Sequence, residues 1–159
     1  MSIQLFRIDD RLIHGQVLMG WGRQLRSQRY LVVDDELAES DWEQELYTLT
    51  VEDGLEVVFA TVDQARAHLT EWMDEGVRSV LLTRDPTHMA RLAEGGLMKG
   101  SEVNVGGLHH RPGRHQVRPY IHLDADDRDA LQHLADEGVT VSGRDLPDAV
   151  RVPLDQMLG

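Results

Sequence analysis

The stretch Ile3-Gln-Leu-Phe-Arg-Ile8-Asp9-Asp10-Arg11-Leu12-Ile13-His14-Gly15-Gln16-Val17 decides how the rest of the chain is read. Ile3 to Ile8 is an apolar-rich run with the length of a buried strand. It breaks into two carboxylates and an arginine, and His14-Gly15 then opens a helical pattern that runs to about Leu25, with Val17, Leu18, Trp21 and Leu25 on one side. In an α/β protein the crevice beyond a strand's carboxyl end is where ligands bind. A helix starting there turns unbonded N–H groups and the positive end of its dipole towards an anion. Histidine, arginine and free amides together suggest a residue that accepts a phosphoryl group.

The same alternation continues outward. Short apolar runs at Tyr30–Val33, Leu55–Ala60, Val77–Thr83, Glu102–Val105, Val117–Leu123 and Val139–Val141 read as strands. Helical stretches lie between most of them. One covers Glu36 to about Leu49, with Leu37, Trp42, Leu46 and Leu49 on an expected inner stripe. Thr61-Val-Asp-Gln64 has the form of a capping box, Asp85-Pro86 offers an N-cap followed by an N1 proline, and Asp124 caps a helix that Gly138 closes. An irregular tail to Gly159 is expected. Strand–helix alternation of this kind means βαβ units, a mainly parallel sheet of six or seven strands, and helices on both faces. No repeat or linker divides the chain, so residues 1–159 are expected to form one domain.

Composition excludes several classes. The formal net charge of −12 over 159 residues argues against a general nucleic-acid binder, which needs a basic face. With no cysteine there is no disulfide, thiolate metal site or cysteine nucleophile, which fits a reducing cytoplasm. No signal-peptide pattern precedes the first strand, and no apolar run approaches a membrane span, so any membrane role is expected to run through a partner. The first strand is followed neither by a Gly-x-Gly-x-x-Gly pattern nor by a Walker lysine.

At the candidate site, positive potential at the helix N-terminus is expected to keep the His14 ring neutral and nucleophilic. Arg11 would neutralise oxygens of a transferring phosphoryl group with its planar fork. Gly15 would let phosphate approach the backbone, with Gln16 as a minor contact. Asp9 or Asp10, with Asp10 favoured, would orient Arg11 or the second ring nitrogen, although either also reads as a plain turn residue. The loop Leu108-His-His-Arg-Pro-Gly-Arg-His115 reads either as a solvated connection turned by Pro112-Gly113 or as a partner-facing surface presenting His109, His110 and Arg111.

Residues 7–17 closely resemble the active-site segment of the IIB components of the bacterial phosphoenolpyruvate-dependent sugar phosphotransferase system, in the mannose/fructose/sorbose branch. The likeness extends through Val32-Val-Asp-Asp-Glu-Leu-Ala38, Arg91-Leu-Ala-Glu-Gly-Gly96 and Glu102-Val-Asn-Val-Gly-Gly107. Asp34 stands where that family often has asparagine. The resemblance implies a three-layer α/β/α sandwich and a cytoplasmic phosphocarrier without metal or organic cofactor. It implies that His14 takes a phosphoryl group on Nδ1 from a IIA phosphohistidine and passes it to a sugar held by a IIC/IID membrane permease, with Arg11 steadying the group. A regulatory, non-transporting phosphohistidine protein of the same family is the alternative.

Overall fold

A computed structural model describes residues 2–159. Its sheet has the order β3-β2-β4-β1-β5-β8-β9, comprising β1 (Ile3–Ile8), β2 (Arg29–Val33), β3 (Glu56–Ala60), β4 (Ser79–Thr83), β5 (Glu102–Val105), β8 (Thr140–Gly143) and β9 (Val152–Pro153). Every pairing is parallel except that of β9 with β8. Strand β1 therefore lies in the middle, paired on both sides, and its carboxyl end opens at the centre of the sheet's upper edge.

Two cores follow from the period-2 alternation of the strands. On one face Phe6, Ile8, Leu31, Val33, Leu81 and Val105 meet α3 (Val62–Asp74), α4 (Pro86–Ala93) and α5 (Ala125–Asp136). On the other, Tyr30, Val32, Val80 and Leu82 pack with Leu12, Ile13 and Val17, the last of these from the first helix, α1. Helix α1 is wound as a π-helix over Gln16–Gly22 and continues as one α-turn at Arg23–Leu25. The result is the expected three-layer α/β arrangement.

The local signals place the helix starts well. Thr61 and Gln64 form a reciprocal capping box, Asp85 accepts from the His88 N–H ahead of Pro86, and Asp124 does the same for the Asp127 N–H. Three expectations are corrected. The run from Glu36 to Leu49 is broken at Ser40 into a 3₁₀ turn (Leu37–Glu39) and α2 (Asp41–Leu49), because the Asp34 carboxylate caps the Glu36 and Leu37 amides and tightens that turn. The break rotates the stripe, so Leu37 is buried while Trp42, Leu46 and Leu49 are 66%, 55% and 75% exposed. Val117–Leu123 is not one strand: β6 (His115–Arg118) and β7 (Ile121–Leu123) form an antiparallel hairpin outside the main sheet, turned at Pro119-Tyr120, since proline cannot continue the ladder. The tail is ordered as well, into β9 and α6 (Leu154–Leu158), anchored by fully buried Met157.

Trp42→Ser and Leu49→Ser are therefore expected to leave stability within about 0.5 kcal/mol of the parent in urea unfolding. Leu37→Ala should cost about 2–5 kcal/mol through the cavity it opens.

Candidate functional site

Strand β1 ends in a tight turn. The Asp9 N–H bonds the Thr83 carbonyl of β4, the Asp10 N–H bonds Gly107 beyond β5, and the Leu12 N–H returns to the Asp9 carbonyl. Leu12 is held at φ 54°, in the left-handed region that costs a leucine about 1–2 kcal/mol. Full burial of its side chain offsets that cost. The conformation also turns the Leu12 carbonyl back towards His14, whose Nδ1 lies 2.8 Å from it. A carbonyl only accepts, so in this arrangement Nδ1 carries the proton and the lone pair is on Nε2. Nε2 is buried, without a hydrogen bond, 3.8 Å from Asp9 Oδ2.

The ring is neither sealed nor free: its side chain keeps 17% exposure. Burial lowers the His14 pKa below the usual histidine value, and the Arg11 and Arg7 charges push the same way, against Asp9 and the Leu12 bond. The lowered pKa favours the neutral ring, and burial is its first cause. The first helical bond runs from the Leu18 N–H to the His14 carbonyl, so the amides of Gly15, Gln16 and Val17 precede the helical ladder.

Beneath the ring lies Asp9, fully buried. Its two oxygens receive the Arg11 fork, Nε to Oδ1 at 3.0 Å and Nη2 to Oδ2 at 2.9 Å. Oδ2 also takes Arg7 Nη2 and the Gly107 N–H, each at 3.2 Å. Burial alone would raise the Asp9 pKa; the Arg11 bond and the Arg7 charge outweigh it and hold it below the ordinary value. Arg7, itself fully buried, also donates to Asn104, to the carbonyls of Arg144 and Asp145, and to Gln16, with Trp21 stacked 5.1 Å from its guanidinium. Arg11 remains one-third exposed beside His14.

The family model for the PTS system sorbose subfamily IIB component matches residues 3–159. The chain belongs to that family. It is 30% identical over 158 residues to the PTS system fructose-specific EIIB component of Bacillus subtilis, covering 99% of this chain and 96% of that one. It is 36% identical over 144 residues to the PTS system mannose-specific EIIAB component of Escherichia coli, covering 91% of this chain and 44% of that protein. The chain thus spans less than half the length of its mannose-specific relatives. The crystal structure of the N-acetylgalactosamine-specific IIB component 1 from Escherichia coli superposes with a TM-score of 0.86 at 31% identity, over 94% of this chain and 97% of that one. That of the IIBSor domain of the sorbose permease from Klebsiella pneumoniae gives 0.85 at 29%, over 99% and 96%.

In this IIB chain the residues singled out in the sequence fall into two groups. His14, Arg11, Asp9, Gly15 and Gln16 come together. Gln16, however, is engaged inward: Oε1 accepts from Arg11 and Arg7, and Nε2 donates to Asp145 at 3.0 Å. Asp10 points away from the ring, accepting from His109 Nδ1 and the His109 N–H, both at 2.7 Å. His109 is exposed on that side, His110 packs edge-on to His122, and the Arg111 carbonyl closes the turn by accepting the Arg114 N–H. The residues the sequence did not flag are Arg7, Asn104, Gly106 and Asp145. An arginine inside an otherwise apolar strand was the available signal, because a buried charge needs a partner.

Two glycines separate structure from access. A Cβ on Gly106 would lie 2.3 Å from the Arg7 guanidinium, whereas one on Gly15 would meet nothing within 4 Å. Gly106→Ala should destabilise by about 1–3 kcal/mol in denaturant unfolding, and Gly15→Ala should unfold like the parent. Asp9→Asn should cost about 3–5 kcal/mol at neutral pH by leaving two guanidiniums without their carboxylate. Since the Asp9 pKa is depressed, its contribution is complete above the ordinary value of 3.8 and fades as pH falls through the folded-state value. The gap between parent and variant should close in that acidic window, and a gap independent of pH would remove Asp9 from the pairing.

Proposed function

We propose that this chain is a phosphocarrier. His14 accepts a phosphoryl group from a phosphohistidine on a IIA protein or domain and hands it to a sugar bound by a IIC/IID membrane permease, in the cytoplasm. The observation that carries this reading is His14 itself: a partly exposed imidazole whose lowered pKa favours the neutral form, beside a one-third exposed arginine that Asp9 holds in place, at the start of a helix whose first amides precede the ladder. Membership of a IIB family supplies the reaction class. Among the described residues no helix is long and apolar enough to cross a membrane.

Phosphoryl transfer asks mainly for positioning and charge stabilisation. Nε2 faces the Asp9 carboxylate, which would repel a dianionic phosphoryl group, so Nδ1 is the accepting atom. That requires the tautomer with its proton on Nε2, reached as the ring turns and exchanges protons with solvent, one leaving Nδ1 and one arriving at Nε2, where Asp9 Oδ2 is placed to receive the hydrogen bond. Loss of the Leu12 bond costs about 1 kcal/mol and releases Nδ1 outward. Its lone pair forms the new N–P bond as the donor's N–P bond breaks, and the donor imidazole keeps that pair. Arg11 and the amides of Gly15 and Gln16 then steady the equatorial oxygens. Asp9 acts as a positioning residue for both ring and fork.

Incubation with phosphoenolpyruvate, the general phosphotransfer proteins and a IIA donor should label one site, acid-labile and base-stable. His14→Ala should abolish that label, and a full label elsewhere would refute the proposal. Arg11→Lys keeps the charge and loses the fork, and its labelling rate should fall by about tenfold or more with the fold intact. Heteronuclear NMR of the phosphorylated parent should place the group on Nδ1.

A further inference from the structure

Parallel sheets are ordinarily covered on both faces, and one corner of this sheet is open. On the α1 side, Asn104 of β5 and Ser142 of β8 replace the valines that line the opposite core at Val103, Val105 and Val141. With the wall formed by Trp21 and Leu25 they enclose a groove of about 340 Å³, bordered also by Ser101, Arg144 and Arg151.

The charges in this groove do not cancel. Glu102, its one acidic side chain, pairs with Arg151 at 3.2 Å. Arg144 has no carboxylate within ion-pair distance among the described residues. Its guanidinium stacks 4.9 Å from the Trp21 ring, Nη1 donates to the Pro147 carbonyl, and Nε is buried without a hydrogen bond. Burial lowers the Arg144 pKa and the Arg151 charge lowers it further, with Glu102 opposing. One guanidinium paired with Glu102 and a second, Arg144, with no carboxylate partner, in a chain of net charge −12, form an acceptor for one more anion.

We propose that this groove is a second binding site, separate from His14, for a small polyhydroxylated anion of the sugar phosphate class. The anionic group would sit on Arg144 and Arg151, and the hydroxyls would exchange hydrogen bonds with Ser101 and Ser142. The site also has a physical route to the first one. The carbonyls of Arg144 and Asp145 accept from Arg7 at 3.0 and 3.2 Å, so a ligand drawing on Arg144 pulls on the arginine that holds Asp9. The proposal does not depend on His14 being phosphorylated.

The test is NMR titration of the unphosphorylated protein with glucose 6-phosphate, glucose and inorganic phosphate as separate probes. Glucose 6-phosphate should give saturable shifts at the Trp21 indole N–H and at the Ser101 and Ser142 amides, at least about tenfold tighter than either other probe. Arg144→Met and, independently, Arg151→Met should each weaken binding by about tenfold or more, while His14→Ala binds like the parent. Absence of saturation, unchanged affinity in both methionine variants, or loss of binding in His14→Ala would overturn the second site. Inorganic phosphate binding as tightly as the ester would overturn its ligand class.

Discussion

A buried carboxylate, Asp9, sits between two guanidiniums, and the upper edge of the molecule is arranged around that pairing. Arg7 projects from the central strand into a position with no solvent exposure, where a guanidinium needs a charge partner. Asp9 supplies the charge, Asn104 and two carbonyls of the 144–145 loop supply further acceptors, and Gln16 joins both arginines to Asp145. The turn after β1, the first helix, the Gly106-Gly107 backbone and the loop after β8 are thereby tied to one point. Arg11 leaves that cluster on the solvent side and His14 stands over it.

The arrangement separates rigidity from reactivity. Everything below the ring is fixed by charge pairing in a low-dielectric setting, where hydrogen bonds to ionised groups are strongest. Above it the ring is held by one bond to a strained leucine carbonyl, and nothing packs against the position of a Gly15 Cβ. A side chain proposed to receive and pass on a phosphoryl group gains from such asymmetry, because the arginine and the amides stay in place while the imidazole turns. Desolvation lowers the ring's pKa and so favours the neutral imidazole, in which a change of tautomer is enough to expose the Nδ1 lone pair.

The parts of the fold that were legible in the sequence are those with local physical causes. Capping residues, the proline at N1 and the glycines after helices act through the backbone of their immediate neighbours, so α3, α4 and α5 begin where Thr61, Asp85 and Asp124 indicate. The reading slipped where a distant or competing contact intervenes. Asp34 tightens the 3₁₀ turn that breaks the helix after β2, and with it the periodicity that made Trp42 and Leu49 look internal. Pro119 likewise divided what looked like one strand.

For the site, the sequence by itself determined the chemical inventory: a histidine opening a helix, an arginine three residues before it, carboxylates between strand and helix, and a strand–helix alternation that puts them at a sheet's carboxyl edge. Only the tertiary structure decided which carboxylate serves the ring. Asp9 and Asp10 are equivalent in one dimension, and the choice turns on Gly107 and Arg7 meeting one of them while His109 claims the other. The physical reason is that, although Arg7 and Arg11 lie two residues from Asp9, the Gly107 amide that joins them there and the His109 that claims Asp10 lie 98 and 99 residues away, and no local pattern encodes those contacts.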